Sequence, residues 1–92
     1  MSSDQRLIIA ILRNIDGDEV LNALLKAEYR VTRIATTGGF LRRGNETLLI
    51  GVEKSRVETA VQIIQDHSAP GIDPGLKRAN VFVLAVDKYE QI

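Results

Sequence analysis

The residues best suited to chemistry lie together, from Tyr29 to Asn45: Tyr-Arg-Val-Thr-Arg-Ile-Ala-Thr-Thr-Gly-Gly-Phe-Leu-Arg-Arg-Gly-Asn. This stretch holds four arginines, three threonines and three glycines but no acid, within a chain whose 12 basic residues balance 12 acidic ones. Guanidinium groups offer planar, permanently charged donors that suit phosphate. Threonine hydroxyls add short donors, and glycines let a backbone turn sharply and approach a ligand. Backbone N–H groups exposed in such turns can hold an anion. Phe40 and Leu41 are apolar residues in a loop, and they could sandwich a flat base. Asn45 both donates and accepts, as an adenine edge requires. Simpler roles are open for each piece. Gly38-Gly39 can be a hairpin turn, Arg42 and Arg43 a solvated loop tip, and Phe40 a plug in a subunit interface.

Other chemistries lack their residues. No Gly-Lys-Ser/Thr follows the glycines, so this is not a Walker loop, and the dinucleotide-binding Gly-x-Gly-x-x-Gly is missing. The chain has no cysteine, which removes disulfides, thiol catalysis and cysteine-ligated metals. His67 is the only histidine. It follows a helix, where it can cap carbonyls, and a catalytic role for it is not expected. Asp16, Asp18 and Glu19 read as capping and dipole charges, not as a metal site. Balanced charge argues against a nucleic-acid polymer as partner. The apolar run Leu7 to Leu12 is too short to cross a bilayer, and no signal-peptide pattern opens the chain. A cytoplasmic protein without membrane insertion is expected.

These residues need elements to hold them. The 92 residues, 45% hydrophobic and 26% charged, suggest one domain over 1–92. Arg6 to Arg13 reads as a strand buried on both faces. Asp16 with Glu19 three residues on resembles an N-cap and capping box, and Val20, Leu21, Leu24 and Leu25 form one helical stripe. Arg30 to Thr37 is strand-like, broken by Gly38-Gly39, and Asn45 to Glu53 is a third strand. Gly51 inside it marks a bulge or a close backbone approach, or else tight helix-to-sheet packing. A second helix starts at Lys54-Ser55, with Ser55 and Glu58 as a capping box and Val57, Ala60, Val61 and Ile64 as its buried face. Ser68 to Lys77, with both prolines, is a loop, and Asn80 to Val86 a fourth strand. The order β-α-β-β-α-β is the ferredoxin-like plan, an α+β antiparallel sheet with both helices on one face. Yet the first and last strands are apolar on both faces. The open face would then be a large exposed apolar patch, so a further subunit is expected to cover it.

The run Arg30 to Asn45 closely resembles the PII-like cyclic di-AMP receptors, above all in Ala-Thr-Thr-Gly-Gly-Phe-Leu followed by Gly-Asn. The likeness continues through Thr47-Leu-Leu-Ile-Gly-Val-Glu53, Leu7-Ile-Ile-Ala-Ile11 and Val81-Phe-Val-Leu-Ala-Val-Asp87. It implies a homotrimer of ferredoxin-like subunits that binds cyclic di-AMP in clefts between them. It further implies a sensor without catalysis or cofactor, whose loops change on binding and alter contact with an unnamed downstream protein. The implied ligand residues are Arg30, Thr32, Thr37, Gly38, Gly39 and Phe40, together with Leu41, Asn45 and Gly51. Phe82 and Gln91 match more loosely. By the same resemblance, Asn45 and the Gly51 backbone would read adenine, Thr32 would meet phosphate or ribose, and Phe40 and Leu41 would enclose the base. One feature departs from the family: the long mobile connection from the second helix to the last strand is here only about ten residues. Another adenine nucleotide is therefore an alternative ligand.

Three alternatives use the same fold differently. An acylphosphatase-like hydrolase would hold phosphate with Arg30 and position water with Asn45, but its glycine-rich signature around the arginine is absent. An RNA-binding module would need exposed aromatics on the sheet, and the chain has only two Phe and two Tyr. The third is an assembly subunit with no small ligand.

Overall fold

The computed structural model describes residues 4–34, 45–68 and 79–86. The elements run β1 (Gln5–Arg13), α1 (Asn14–Lys26), β2 (Arg30–Ile34), β3 (Asn45–Glu53), a 3-10 turn (Lys54–Arg56), α2 (Val57–Asp66) and β4 (Ala79–Ala85). The four strands form one antiparallel sheet in the order β2-β3-β1-β4, the ferredoxin-like arrangement expected above. β1 and β3, the richest in Ile, Leu and Val, take the two central positions. The portion of the expected second strand beyond Ile34 lies outside the described residues. Among the described residues no helix is long and apolar enough to cross a membrane.

Alternation sorts the side chains to two faces. Ile8, Ala10 and Leu12 of β1 and Leu48, Ile50 and Val52 of β3 point to the helices. They meet Val20 and Leu24 of α1 and Ala60 and Ile64 of α2, all fully buried. Leu25, expected on the same stripe, is 49% exposed because it lies past the edge of that face. The opposite face carries the other set. Across the sheet run the rows Arg30–Gly51–Leu7–Leu84 and Thr32–Leu49–Ile9–Phe82. Leu7, Ile9, Ile11 and Leu49 are only half-buried there, and Phe82 and Leu84 are 52% and 49% exposed. Among the described residues no helix packs on this face, and both described helices lie on the other.

The helix starts differ from expectation. α1 begins at Asn14, immediately after β1, with Arg13 at the N-cap and no side-chain cap bond. Asp16 therefore sits inside the first turn, buried, where its carboxylate accepts from Arg13 Nε at 3.1 Å. Likewise Ser55 falls in the 3-10 turn and α2 begins at Val57, so the Ser55–Glu58 capping box does not form. At the far end of α2, His67 Nδ1 lies 2.9 Å from the Ile63 carbonyl, the capping contact anticipated for it.

Candidate functional site

Three expected ligand residues meet at one corner of the open face. Arg30 stands opposite Gly51, and Thr32 stands opposite Leu49, two residues from Gly51 on the same face. Arg30, Thr32 and Gly51 are all exposed. No hydrogen bond or ion pair to another described residue engages the Arg30 side chain. The register through Gly51 is unbroken on both sides, which removes a bulge. A Cβ placed on Gly51 would meet nothing within 4 Å, which removes tight helix packing as well. What remains of the expectation is a close backbone approach, and no described residue makes it. A cation, a hydroxyl and a bare stretch of strand backbone thus border an apolar sheet surface, a combination able to take a phosphate and a flat ring.

A shallow cleft at this corner is lined by Gln5, Glu28, Tyr29, Arg30, Gly51 and Arg56, among others. Its wall is a reciprocal clasp. The Tyr29 hydroxyl donates to the Arg56 carbonyl at 3.1 Å, and Arg56 Nη2 donates to the Ala27 carbonyl at 2.8 Å. The Arg56 guanidinium also lies 4.0 Å above the Tyr29 ring centre, a cation–π contact. Between the two anchored residues, Glu28 has φ 67°, the one positive φ at a non-glycine residue among those described. Its N–H donates to the Leu25 carbonyl and that of Tyr29 to the Leu24 carbonyl, both at 3.0 Å. That is the double closure of a helix C-terminus in which glycine usually holds the left-handed position. Glu28 and Arg56 were not legible as site residues, and Tyr29, though it opens the stretch singled out above, was given no role there. The only sequence signal is the adjacency of Tyr29 to Arg30.

On the other face of β2, Arg33 ties the sheet to α1. Its Nη2 donates to Asp18 Oδ1 at 2.7 Å, and its Nε lies 2.7 Å from Glu46 Oε2. The second contact is charge attraction without hydrogen-bond alignment. The bond to Asp18, aided by the charge of Glu46, raises the Arg33 pKa further above its ordinary value. Gly17 is the close approach that makes room, because a Cβ there would collide with the Glu46 carboxylate. Arg33 thus serves structure, not the open face.

The remaining expected residues are spread apart. Asn45 shares the open face but lies six residues from Gly51 along β3, roughly 20 Å at about 3.4 Å per residue. One subunit therefore cannot present both to a single adenine. The same separation keeps Arg30, opposite Gly51, from working with Asn45 on one phosphate within a subunit, as the hydrolase alternative needs. Phe82 faces the same way across Ile9 but on the far edge strand from Thr32. Thr37, Gly38, Gly39, Phe40, Leu41, Arg42, Arg43 and Gln91 lie outside the described residues, as does most of the 68–78 connection. Among the described residues no acid or histidine cluster could hold a metal ion.

The family model of the cyclic-di-AMP receptor matches residues 5–71, well over half the chain. The chain belongs to the cyclic-di-AMP receptor family. The matched region contains Arg30, Thr32, Asn45 and Gly51, and also Glu28, Tyr29 and Arg56; Phe82 and Gln91 lie beyond it. Solved structures agree on the fold of this receptor. A functionally unknown protein from Pediococcus pentosaceus is 33% identical, with TM-score 0.80 over 98% of this chain and 99% of its own. PII of Arabidopsis thaliana, bound to citrate, is 27% identical with TM-score 0.69, over 91% of this chain and 78% of its own. A DUF3240 family protein from Shewanella baltica, at 13% identity and TM-score 0.64 over 98% of both chains, shares the fold alone. The receptor is therefore PII-like, and its resemblance in the Arg30–Asn45 run reflects family membership.

Proposed function

We propose that this receptor senses cyclic di-AMP in clefts between the subunits of a homotrimer, without catalysis, and signals by changing loop conformation toward a downstream protein. The observation that carries the reading is the corner of the open face where Arg30, whose side chain pairs with no described residue, the Thr32 hydroxyl and a Gly51 that no described residue crowds adjoin exposed apolar surface. Arg30 supplies charge to a phosphate, Thr32 a donor to phosphate or ribose, and Gly51 a backbone that a base edge can reach. Phe40 and Leu41 enclose the base. The roughly 20 Å between Asn45 and Gly51 in one subunit supports the cleft arrangement, since one adenine read by both requires two subunits. The uncovered face supports assembly, and the likeness to PII supports three subunits over two.

Calorimetric titration with cyclic di-AMP, ATP, AMP and cyclic di-GMP tests the reading. Selective binding of cyclic di-AMP near one per subunit is the expected result. Heat only with another adenine nucleotide would keep the site and change the signal. No heat with any of them would refute the sensor reading and leave an assembly subunit.

A further inference from the structure

We propose that Arg56 is a positioning residue of the ligand site: it holds the turn from Ala27 to Tyr29 in its left-handed form and thereby fixes where Arg30 enters the cleft. This inference rests on the receptor reading above. Three observations meet in it. Glu28 occupies φ 67°, a conformation that costs a side-chain-bearing residue energy and persists only where the surroundings over-determine it. Arg56 grips the residues on either side of Glu28, through the Ala27 carbonyl at 2.8 Å and the Tyr29 ring at 4.0 Å. The clasp also closes a loop through the sheet. Arg30 follows Tyr29 and pairs with Gly51, and the chain runs from Gly51 through Glu53 into the turn that ends at Arg56.

The chemistry explains why an arginine stands here. Its planar fork can donate in its own plane to a carbonyl while its face lies on an aromatic ring, which an ammonium group cannot do. The cation also lies at the C-terminus of α1, the negative end of the helix dipole. The Tyr29 hydroxyl returns a bond to the Arg56 carbonyl, so the two turns hold each other. Removing Arg56 leaves Glu28 strained with less to hold it, and the turn relaxes toward negative φ. Arg30 then leaves its place beside Gly51.

The test is a double-mutant cycle of Arg56→Ala and Glu28→Gly, reading cyclic di-AMP affinity and amide exchange in the same full-length proteins. Glycine takes positive φ without strain, so it should make the clasp less necessary. Arg56→Ala is expected to weaken binding about tenfold or more, as loss of a geometry-fixing interaction does. It should also speed exchange of the Tyr29 amide, which is bonded to the Leu24 carbonyl. In the Glu28→Gly background the same substitution should cost clearly less on both readouts. An affinity within about twofold of wild type with the Tyr29 amide still protected overturns the proposal. So does a tenfold loss that Glu28→Gly does not reduce, since Arg56 would then touch the ligand itself. Wild-type protein that binds no cyclic di-AMP refutes the receptor reading instead, and the exchange data alone then judge the clasp.

Discussion

Replacing Gly51 should move stability and ligand affinity in opposite directions. The position has extended backbone outside the left-handed region, and an added Cβ meets nothing within 4 Å in its own subunit. Glycine inside a strand or helix is less stable than alanine by roughly 0.5–1 kcal/mol, chiefly through backbone entropy. Gly51→Ala should therefore raise the melting temperature by about 2–8 °C, at about 4–8 °C per kcal/mol for a chain of this size. Protein concentration must be held constant across the comparison, because an oligomer melts at a concentration-dependent temperature. A group that approaches the bare backbone from outside meets the new methyl instead. Overpacking of that kind costs about 1–3 kcal/mol, which is about 5- to 150-fold in cyclic di-AMP affinity. Calorimetry on the ligand-free and titrated proteins reads both effects. Gly51→Ala that melts lower while binding unchanged would refute the reasoning, because the glycine would then serve the subunit's own packing.

Further outcomes follow from the same geometry. Asn45→Ala should weaken binding by about 1–3 kcal/mol if it leaves a buried adenine edge unpaired; unchanged affinity in titration would remove Asn45 from the site. Leu84→Asp places a charge on the apolar open face, and sedimentation should show dissociated subunits that keep their helical circular dichroism. Unchanged mass would mean that this face is not the interface. Ile64→Ala, at a fully buried position, should cost about 2–5 kcal/mol in denaturant unfolding. Asp18→Asn should cost only about 0.2–1 kcal/mol, less at high salt, as an exposed pair does. The raised Arg33 pKa stabilises the folded state below the unfolded value and loses that effect only as pH rises through the still higher folded one. Both lie far above neutrality, so the cost of Asp18→Asn should be flat across neutral pH, as unfolding curves at several pH values would show.

Patterns within a segment were legible, and contacts between segments were not. The β-branched runs of β1, β3 and β4 located these strands within a residue at each end. Their apolarity on both faces foretold the uncovered sheet surface. The cap residues misled because preference at a helix start does not say how soon the helix follows the preceding strand. Here β1 ends at Arg13 as expected, but α1 follows it without a gap, with its N-cap three residues before Asp16, so Asp16 moves inward and becomes the buried partner of Arg13. Gly51 could be weighed only once Leu48, Ile50 and Val52 were seen to take the inner face, which sends Gly51 outward. Arg33 sits in the arginine-rich stretch like Arg30, but strand parity turns it toward Asp18 and Glu46. The clasp joins Tyr29 to Arg56, 27 positions apart, and depends on two turns meeting, which no local spacing encodes.

The pairing of β1 with β4 sets the order in which this molecule can assemble. The pairing of central β1 with edge strand β4 joins segments from opposite ends of the described chain, with Leu7 beside Leu84 and Ile9 beside Phe82. Such distant contacts pay their loop-closure entropy before they are rewarded, so they form late and slowly. Until β4 docks, one edge of β1 is a row of unpaired amides and the open face lacks Phe82 and Leu84. A nascent or partly unfolded chain therefore carries an incomplete version of the surface that its partners would cover. Any association through this face would wait until the chain has closed on itself, and the same interval is when the bare edge of β1 is most open to mispairing with another copy.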